Sequence, residues 1–391
     1  MTIDAAAVTG NWNYPTKMIV GPGRIAKLAA ACRSQGMRRP LLVTDPGIAA
    51  LPMVVEAIAL CEEAGLSCGL FSDVKGNPVG RNVTDGVHVF REGDHDGVIA
   101  FGGGSALDAA KAVALMVGQD RPIWEFEDVG DNWKRVNAAG IAPVVAVPTT
   151  AGTGSEVGRA SVITNEQTHE KKIIFHPAML PGVVILDAQL TVGLPPHITA
   201  ATGLDAFVHC FEAYCAPFYH PMADGIALEG MRLIGEFLPR AHADGSDLVA
   251  RSQMLVAASM GATAFQKGLG AVHAIAHAVG AMYDTHHGLT NAVLLPYVMQ
   301  FNRAAIESRM GLLARMLELD GDGYGAVLDW LLAVRRDLGI PETLAALDVP
   351  EADAEAVGRL AASDPSAGGN PRPVTAADMT AVFRAAHAGD L

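Results

Sequence analysis

Lys267–Pro296 reads KGLGAVHAIAHAVGAMYDTHHGLTNAVLLP and carries four of the chain's thirteen histidines: His273, His277, His286 and His287. Val272, Ile275, Ala276 and Val279 recur at helical spacing, which predicts a helix around His273. Residues four apart share a helix face, so His273 and His277 stack over one another. Tyr283-Asp284-Thr285 reads as a turn that presents His286-His287-Gly288. Neutral imidazole is the commonest metal ligand, so this cluster is a candidate metal half-site that needs a carboxylate from elsewhere. A lone buried histidine more often just hydrogen-bonds a neighbouring polar group.

A carboxylate lies upstream, in Thr202–Tyr214, TGLDAFVHCFEAY, where Asp205 and His209 are again four apart on a predicted helix. Two helices that each offer such a pair inside an apolar sequence suit a site built between bundle helices. From Pro195 onward strand signals vanish. Helices are expected over 198–215, 221–243, 247–264, 270–283, 289–303, 304–318, 322–338, 342–347, 350–362 and 375–388.

The first half reads differently. Short apolar strands are expected at Thr16–Val20 (an edge strand), Arg39–Asp45, Cys68–Phe71, Gly97–Phe101, Ala142–Val147 and Val183–Leu186. Helices fall between several of them, an alternation that predicts an α/β fold with a parallel sheet covered by helices. A domain boundary near 190 gives an α/β domain over 1–190 and a helical domain over 191–391. Two loops leave strands of this sheet. One is Phe101–Lys111, FGGGSALDAAK, whose glycines admit a ligand close to the backbone and whose helix N-terminus suits a pyrophosphate. The other is Pro148–Glu156, PTTAGTGSE, at the carboxyl end of a strand, where ligands of open α/β sheets sit. Together they point to a dinucleotide. The same hydroxyls and glycines also serve as ordinary turn caps.

With a net charge of −14, the chain is a poor partner for nucleic acid or an anionic membrane, both of which need basic patches. No secretory signal is visible, and no apolar run is long enough to span a bilayer. The five cysteines, Cys32, Cys61, Cys68, Cys210 and Cys215, lack CxxC pairing and read as reduced thiols of a cytoplasmic protein.

Taken together, these motifs resemble the iron-dependent (group III) alcohol dehydrogenases, in order and spacing, over nearly the whole chain. The resemblance is carried by TKMIVGPG, LLVTD, GGGSALDAAK, VPTTAGTGSEV, LPPHITAATGLDAFVHCFEAY, HAIAHAVGAMYDTHHGLTNAVLLP and GGNPRPVT. It implies a Rossmann-like α/β nucleotide domain followed by an all-helical domain, with the site in the cleft between them. It places the metal ligands on Asp205, His209, His273 and His287, and leaves His277 as a non-ligand beside nicotinamide and substrate, a candidate for relaying a proton. For the cofactor it implies Gly103, Gly104 and Ser105 at the pyrophosphate, Thr149, Thr150, Thr153 and Ser155 along the second loop, and Asp45 at the adenosine ribose. Asp108, Lys171 and Asn77 lie near the cofactor in that picture. A carboxylate at Asp45 favours NAD over NADP. The implied metal is Fe(II), with Zn compatible with the same His₃Asp donors. The implied substrate is a small alcohol or aldehyde, and the implied assembly a homodimer or larger.

Departures from the pattern concern the pocket. Ala264–Gly268 is one residue shorter than in some relatives, and Ala160 and Ser366 replace other side chains. Lys267 and His286, if they face the site, favour an aldehyde bearing an acid group. Two alternatives use the same ligands: a Zn-dependent polyol (glycerol-type) dehydrogenase, and a non-redox metal-dependent hydrolase or lyase.

Overall fold

A computed structural model describes residues 10–12, 16–168, 170–321 and 323–391. The chain forms two compact units. The first comprises Met1–Thr150 and Gly154–Gly193, and the second Ala151–Thr153 and Leu194–Leu391.

The first unit contains strands β1 (Gly10–Trp12), β2 (Lys17–Val20), β3 (Pro40–Val43), β4 (Gly69–Phe71), β5 (Gly97–Gly102), β6 (Val144–Pro148), β7 (Ala160–Asn165), β8 (Glu170–Phe175) and β9 (Val183–Leu186). Its helices are α1 (Leu28–Ser34), α2 (Pro52–Glu63), α3 (Gly80–Glu92) and α4 (Gly104–Met116). Seven strands form one sheet in the order β1-β2-β9-β6-β5-β3-β4. Only the β1–β2 pair is antiparallel; the other neighbours run parallel. Every residue of β3, β5, β6 and β9 is buried, as expected for strands covered on both faces. The core joins Leu42, Ile99, Phe101, Val145 and Ile185 of the sheet to Leu28, Cys32, Val54 and Cys61 of the helices.

Two expectations change here. Thr16–Val20 was expected at the edge, but β2 lies inside, between β1 and β9. Met18, Ile19 and Val20 are buried in succession, so both faces of this strand need cover. The β7–β8 hairpin, a separate antiparallel sheet, was not foreseen. Its residues are mostly half-buried and include Glu170, Lys171 and Lys172, so it lacks the apolar run that marks a strand.

The second unit is helical: α5 (Pro196–Cys215), α6 (Pro221–Ala243), α7 (Leu248–Ala264), α8 (Ala271–Tyr283), α9 (His287–Met316), α10 (Gly323–Asp337), α11 (Ala354–Ser363) and α12 (Ala376–Ala388). Among the described residues no helix is long and apolar enough to cross a membrane. The two helices expected over 289–318 are one, α9, which runs through Pro296. Its burial explains the misreading. Gly288 and the run Thr290–Met299 are buried all round, while beyond them only one face is buried, through Asn302, Ile306, Met310 and Leu313. The change of periodicity looks like a break, although the backbone continues.

Helix α5 is the axis of this unit. From Thr199 to Cys215 only Thr202 is less than buried. Its neighbours α6, α7 and α9 approach through glycines. A Cβ on Gly230 would lie 2.6 Å from Cys210 Sγ, one on Gly261 3.1 Å from the Ala206 carbonyl oxygen, and one on Gly288 2.6 Å from the Ala201 carbonyl oxygen. The last two contacts are with backbone, which cannot rotate away. Gly288→Ala should therefore push α9 off α5 and cost about 1–3 kcal/mol. Gly225→Ala is the control, because open space surrounds that exposed helical glycine. It should stabilise by up to about 1 kcal/mol. Urea denaturation of the two variants checks the contrast; equal midpoints would contradict it.

Candidate metal centre and cofactor loops

Helix α8 is preceded by Gly270, an N-cap residue that supplies no side-chain cap. Its first amides are instead satisfied from afar. Ala271 N–H donates to Asn370 Oδ1 (3.2 Å) and Val272 N–H to Glu212 Oε1 (2.8 Å). A Cβ at Gly270 would stand 2.9 Å from Glu212 Oε1, so glycine is what lets the carboxylate reach the helix. Asn370, from the GGNPRP segment, exchanges paired amide hydrogen bonds with Asn302 of α9 (2.8 and 2.9 Å). The start of α8 is thus fastened to α5 and α9 before any histidine is placed.

The other oxygen of Glu212 lies 2.7 Å from His273 Nδ1. A carboxylate accepts, so Nδ1 carries the proton and Nε2 keeps its lone pair for a ligand. Asp205, His209, His273 and His287 each offer one donor atom, and these atoms lie within 4.8 Å of one another. The rings of His209 and His273 stack at 4.6 Å, and those of His273 and His287 lie 5.3 Å apart. Asp205, His209 and His273 are buried and His287 is half-buried. Three imidazoles and one carboxylate with this spacing fit a divalent transition metal.

Electrostatics separates the imidazoles. Burial pushes His209 down to about 4, against the pull of Asp205, so it is neutral at physiological pH. Burial would also lower His273, but the Glu212 hydrogen bond and charge outweigh it and raise the group. Two further side chains, which sequence reasoning missed, complete the arrangement. Asn291, one turn beyond His287 on α9, donates from Nδ2 to Asp205 Oδ1 at 2.7 Å and lies 3.1 and 3.2 Å from Nε2 of His287 and His273. Asp364 Oδ2 lies 2.9 Å from His277 Nδ1. Burial opposes the Asp364 charge, but His277 and the Ser366 N–H hold the carboxyl below its usual range. The signals for these residues were slight: Glu212 is one turn from His209, Asn291 one turn from His287, and Asp364 opens a turn before Pro365.

His277 does not join the four donors. Its ring stacks on His287 at 5.4 Å and 16°. His286 is exposed and caps α9, accepting from Leu289 N–H at 3.2 Å. Lys267 is buried, with its Nζ committed to Asp224 and the Tyr214 carbonyl oxygen. Neither residue offers the free cation that an acid-bearing substrate would seek. Phe265, from the shortened segment, packs against His209 at 5.1 Å between rings.

In the first unit, candidate cofactor residues gather at the carboxyl ends of β3, β5 and β6. Gly102 has φ of 140°, a glycine conformation, and a Cβ there would lie 3.5 Å from Asp45 Oδ2. Gly103 precedes α4, and Gly104 and Ser105 form its first turn with no side-chain cap on the amides. A Cβ on Gly103 would meet the Thr150 side chain at 3.5 Å, and Thr149 N–H donates to the Gly102 carbonyl oxygen. Lys171 Nζ donates to Asn77 Oδ1 at 2.8 Å. Asp108 and Ser155 bond each other, and Asp108 also accepts from Val162 N–H and faces buried Lys111. That carboxylate ties α4 to β7. Thr153 falls in the second unit, next to Gly152, whose added Cβ would meet Thr202.

The Glu212 bond yields a sharp prediction. In Glu212→Gln the oxygen must stay on the Val272 N–H, which turns the amide NH₂ toward His273. His273 would then move its proton to Nε2 and lose the ligand lone pair. Metal affinity should fall by about 10- to 100-fold, read by competition against a chelator, with the circular dichroism spectrum unchanged. An unchanged affinity would contradict this assignment.

Comparison with known proteins gives the chain its place. A family model described as iron-containing alcohol dehydrogenase matches residues 15–188, and one described as Fe-containing alcohol dehydrogenase family, C-terminal, matches 199–387. The chain is 38% identical to 4-hydroxybutyrate dehydrogenase of Cupriavidus necator, over 93% of this chain and 96% of that one. It is 36% identical to 1,3-propanediol dehydrogenase of Klebsiella pneumoniae, over 95% and 97%. The crystal structure of sulfoacetaldehyde reductase from Bifidobacterium kashiwanohense in complex with NAD⁺ superimposes with a TM-score of 0.86, at 26% identity and full coverage of both chains. Neither the polyol-dehydrogenase nor the hydrolase or lyase alternative is favoured by these matches. The protein belongs to the iron-containing alcohol dehydrogenase family and is an oxidoreductase acting on alcohols and aldehydes.

Proposed function

We propose that the protein interconverts a short neutral alcohol and its aldehyde with NAD(H), using one divalent metal held by Asp205, His209, His273 and His287. The observation that carries this reading is the convergence of those four donor atoms within 4.8 Å. Bound there, a metal supplies Lewis acidity toward the substrate oxygen, and the nicotinamide supplies the hydride acceptor or donor. His277 takes the hydroxyl proton during oxidation and returns it during reduction. The family description supports Fe(II), while the donor set also suits Zn.

NAD is supported by the NAD⁺ complex of the sulfoacetaldehyde reductase and by the place of Asp45 at the end of β3 beside Gly102. A carboxylate there accepts from a ribose 2′-hydroxyl and repels a 2′-phosphate. Gly103, Gly104 and Ser105 would receive the pyrophosphate at the α4 N-terminus. Thr149, Thr150 and Thr153 would complete the cofactor loop, with Asn77 and Lys171 near it. Neutral substrates are favoured because Lys267 is committed to Asp224 and exposed His286 caps α9, so neither offers an acid group a free cation. Five free cysteines accord with a cytoplasmic protein. A homodimer or larger homo-oligomer is our proposal for the assembly.

Absorbance at 340 nm tests the reading, on protein reconstituted anaerobically with Fe(II) or Zn. NADH oxidation should require metal and disappear, together with bound metal, in Asp205→Ala. Propionaldehyde should outrun succinate semialdehyde; the reverse order would overturn the neutral-substrate part. Asp45→Ala should narrow the preference for NADH over NADPH by about tenfold. An unchanged preference would remove Asp45 from the ribose site.

A further inference from the structure

Asp364 stands at the turn that follows α11, where its two oxygens have separate tasks. Oδ1 accepts from Ser366 N–H at 2.8 Å, which fixes the carboxylate against its own backbone. Oδ2 lies 2.9 Å from Nδ1 of His277, and both side chains are only 10% exposed. His277 is held on other sides by rings: His287 stacks on it at 5.4 Å and His273 meets it edge-on at 5.9 Å. The ring plane is therefore set by packing, and the choice of protonated nitrogen is left to the carboxylate. An ionised carboxylate only accepts.

We infer that Asp364 is a positioning residue for the alcohol–aldehyde reaction, holding His277 in the Nδ1–H tautomer so that Nε2 is the atom that accepts and returns the substrate proton. The inference rests on the reading of His277 as the proton-handling group. A neutral histidine without such a partner exchanges between two tautomers, and only one of them offers Nε2 as a base. A buried carboxylate fixed by its own turn removes that ambiguity before substrate arrives.

Two substitutions separate this role from a merely structural one. In Asp364→Asn the Ser366 N–H still requires an oxygen, so the amide NH₂ faces His277 and donates to Nδ1. The proton then moves to Nε2, the wrong tautomer. Asp364→Ala removes the partner without imposing a tautomer, although it also loosens the turn. If Asp364 only braces the turn, Asn should be mild and Ala severe. If it sets the tautomer, Asn should be at least as damaging as Ala, lowering kcat by about 100-fold while KM for the aldehyde stays within about threefold. The second readout is nitrogen-15 NMR of histidine-labelled, zinc-loaded protein, with the His277 signals assigned by their absence in His277→Ala. Wild-type protein should show Nε2 unprotonated and Nδ1 protonated, and Asp364→Asn the reverse. A wild-type kcat or tautomer in Asp364→Asn overturns the inference. Wild-type turnover in His277→Ala overturns the reading beneath it, and the inference with it. Loss of turnover in His277→Ala, with reversed tautomer and lowered kcat in Asp364→Asn, supports both.

Discussion

The Glu212 carboxylate carries the arrangement of the second unit. It accepts the Val272 N–H in the first turn of α8 on one oxygen and the Nδ1–H of His273 on the other, from a helix that is itself buried almost throughout. Without it a buried imidazole and an uncapped helix start would each bear a desolvation cost. With it, the same group that seats α8 also decides which nitrogen of His273 is a ligand. Asn291 does the corresponding work for Asp205, and Asp364 stands to His277 as Glu212 stands to His273. The site is therefore a set of carboxylate–imidazole and amide–carboxylate pairs, of which the Glu212 and Asp364 carboxylates are each fixed by a backbone N–H on their other oxygen.

Close helix approach makes that possible. Gly261 and Gly288 bring α7 and α9 against the α5 backbone beside His209 and Asp205, and Gly270 admits Glu212 to α8. Residues of no chemical function thus set the distances among residues that have one. The first unit follows another logic. There a glycine-rich strand exit at Gly102–Gly104 and a carboxylate at Asp45 meet at the ends of parallel strands, where backbone amides face outward.

The sequence made much of this legible. The alternation of β3, α2, β4, α3, β5 and α4 follows from local patterning, as do most helices of the second unit. What it could not carry is long-range pairing. The place of β2 inside the sheet depends on β9, more than 160 residues away in sequence. The β7–β8 hairpin lacks an apolar run, and the uniform burial of the first turns of α9 hid its continuity. At the site, the i, i+4 pairs drew attention to Asp205, His209, His273 and His277, because helical spacing is local information. Glu212, Asn291 and Asp364 escaped because their partners are set by which helix faces meet. Lys267 looked like a cation available to substrate, yet Asp224 of α6 takes it out of play.

The central claim is that one metal ion binds to Asp205, His209, His273 and His287. Anomalous diffraction at the iron edge, from crystals of protein loaded anaerobically with Fe(II), tests it most directly. The account predicts one strong peak per chain, at about 2.0–2.2 Å from a donor atom of each of the four residues. A peak elsewhere, or one that leaves out His273 and takes in His277, would contradict it.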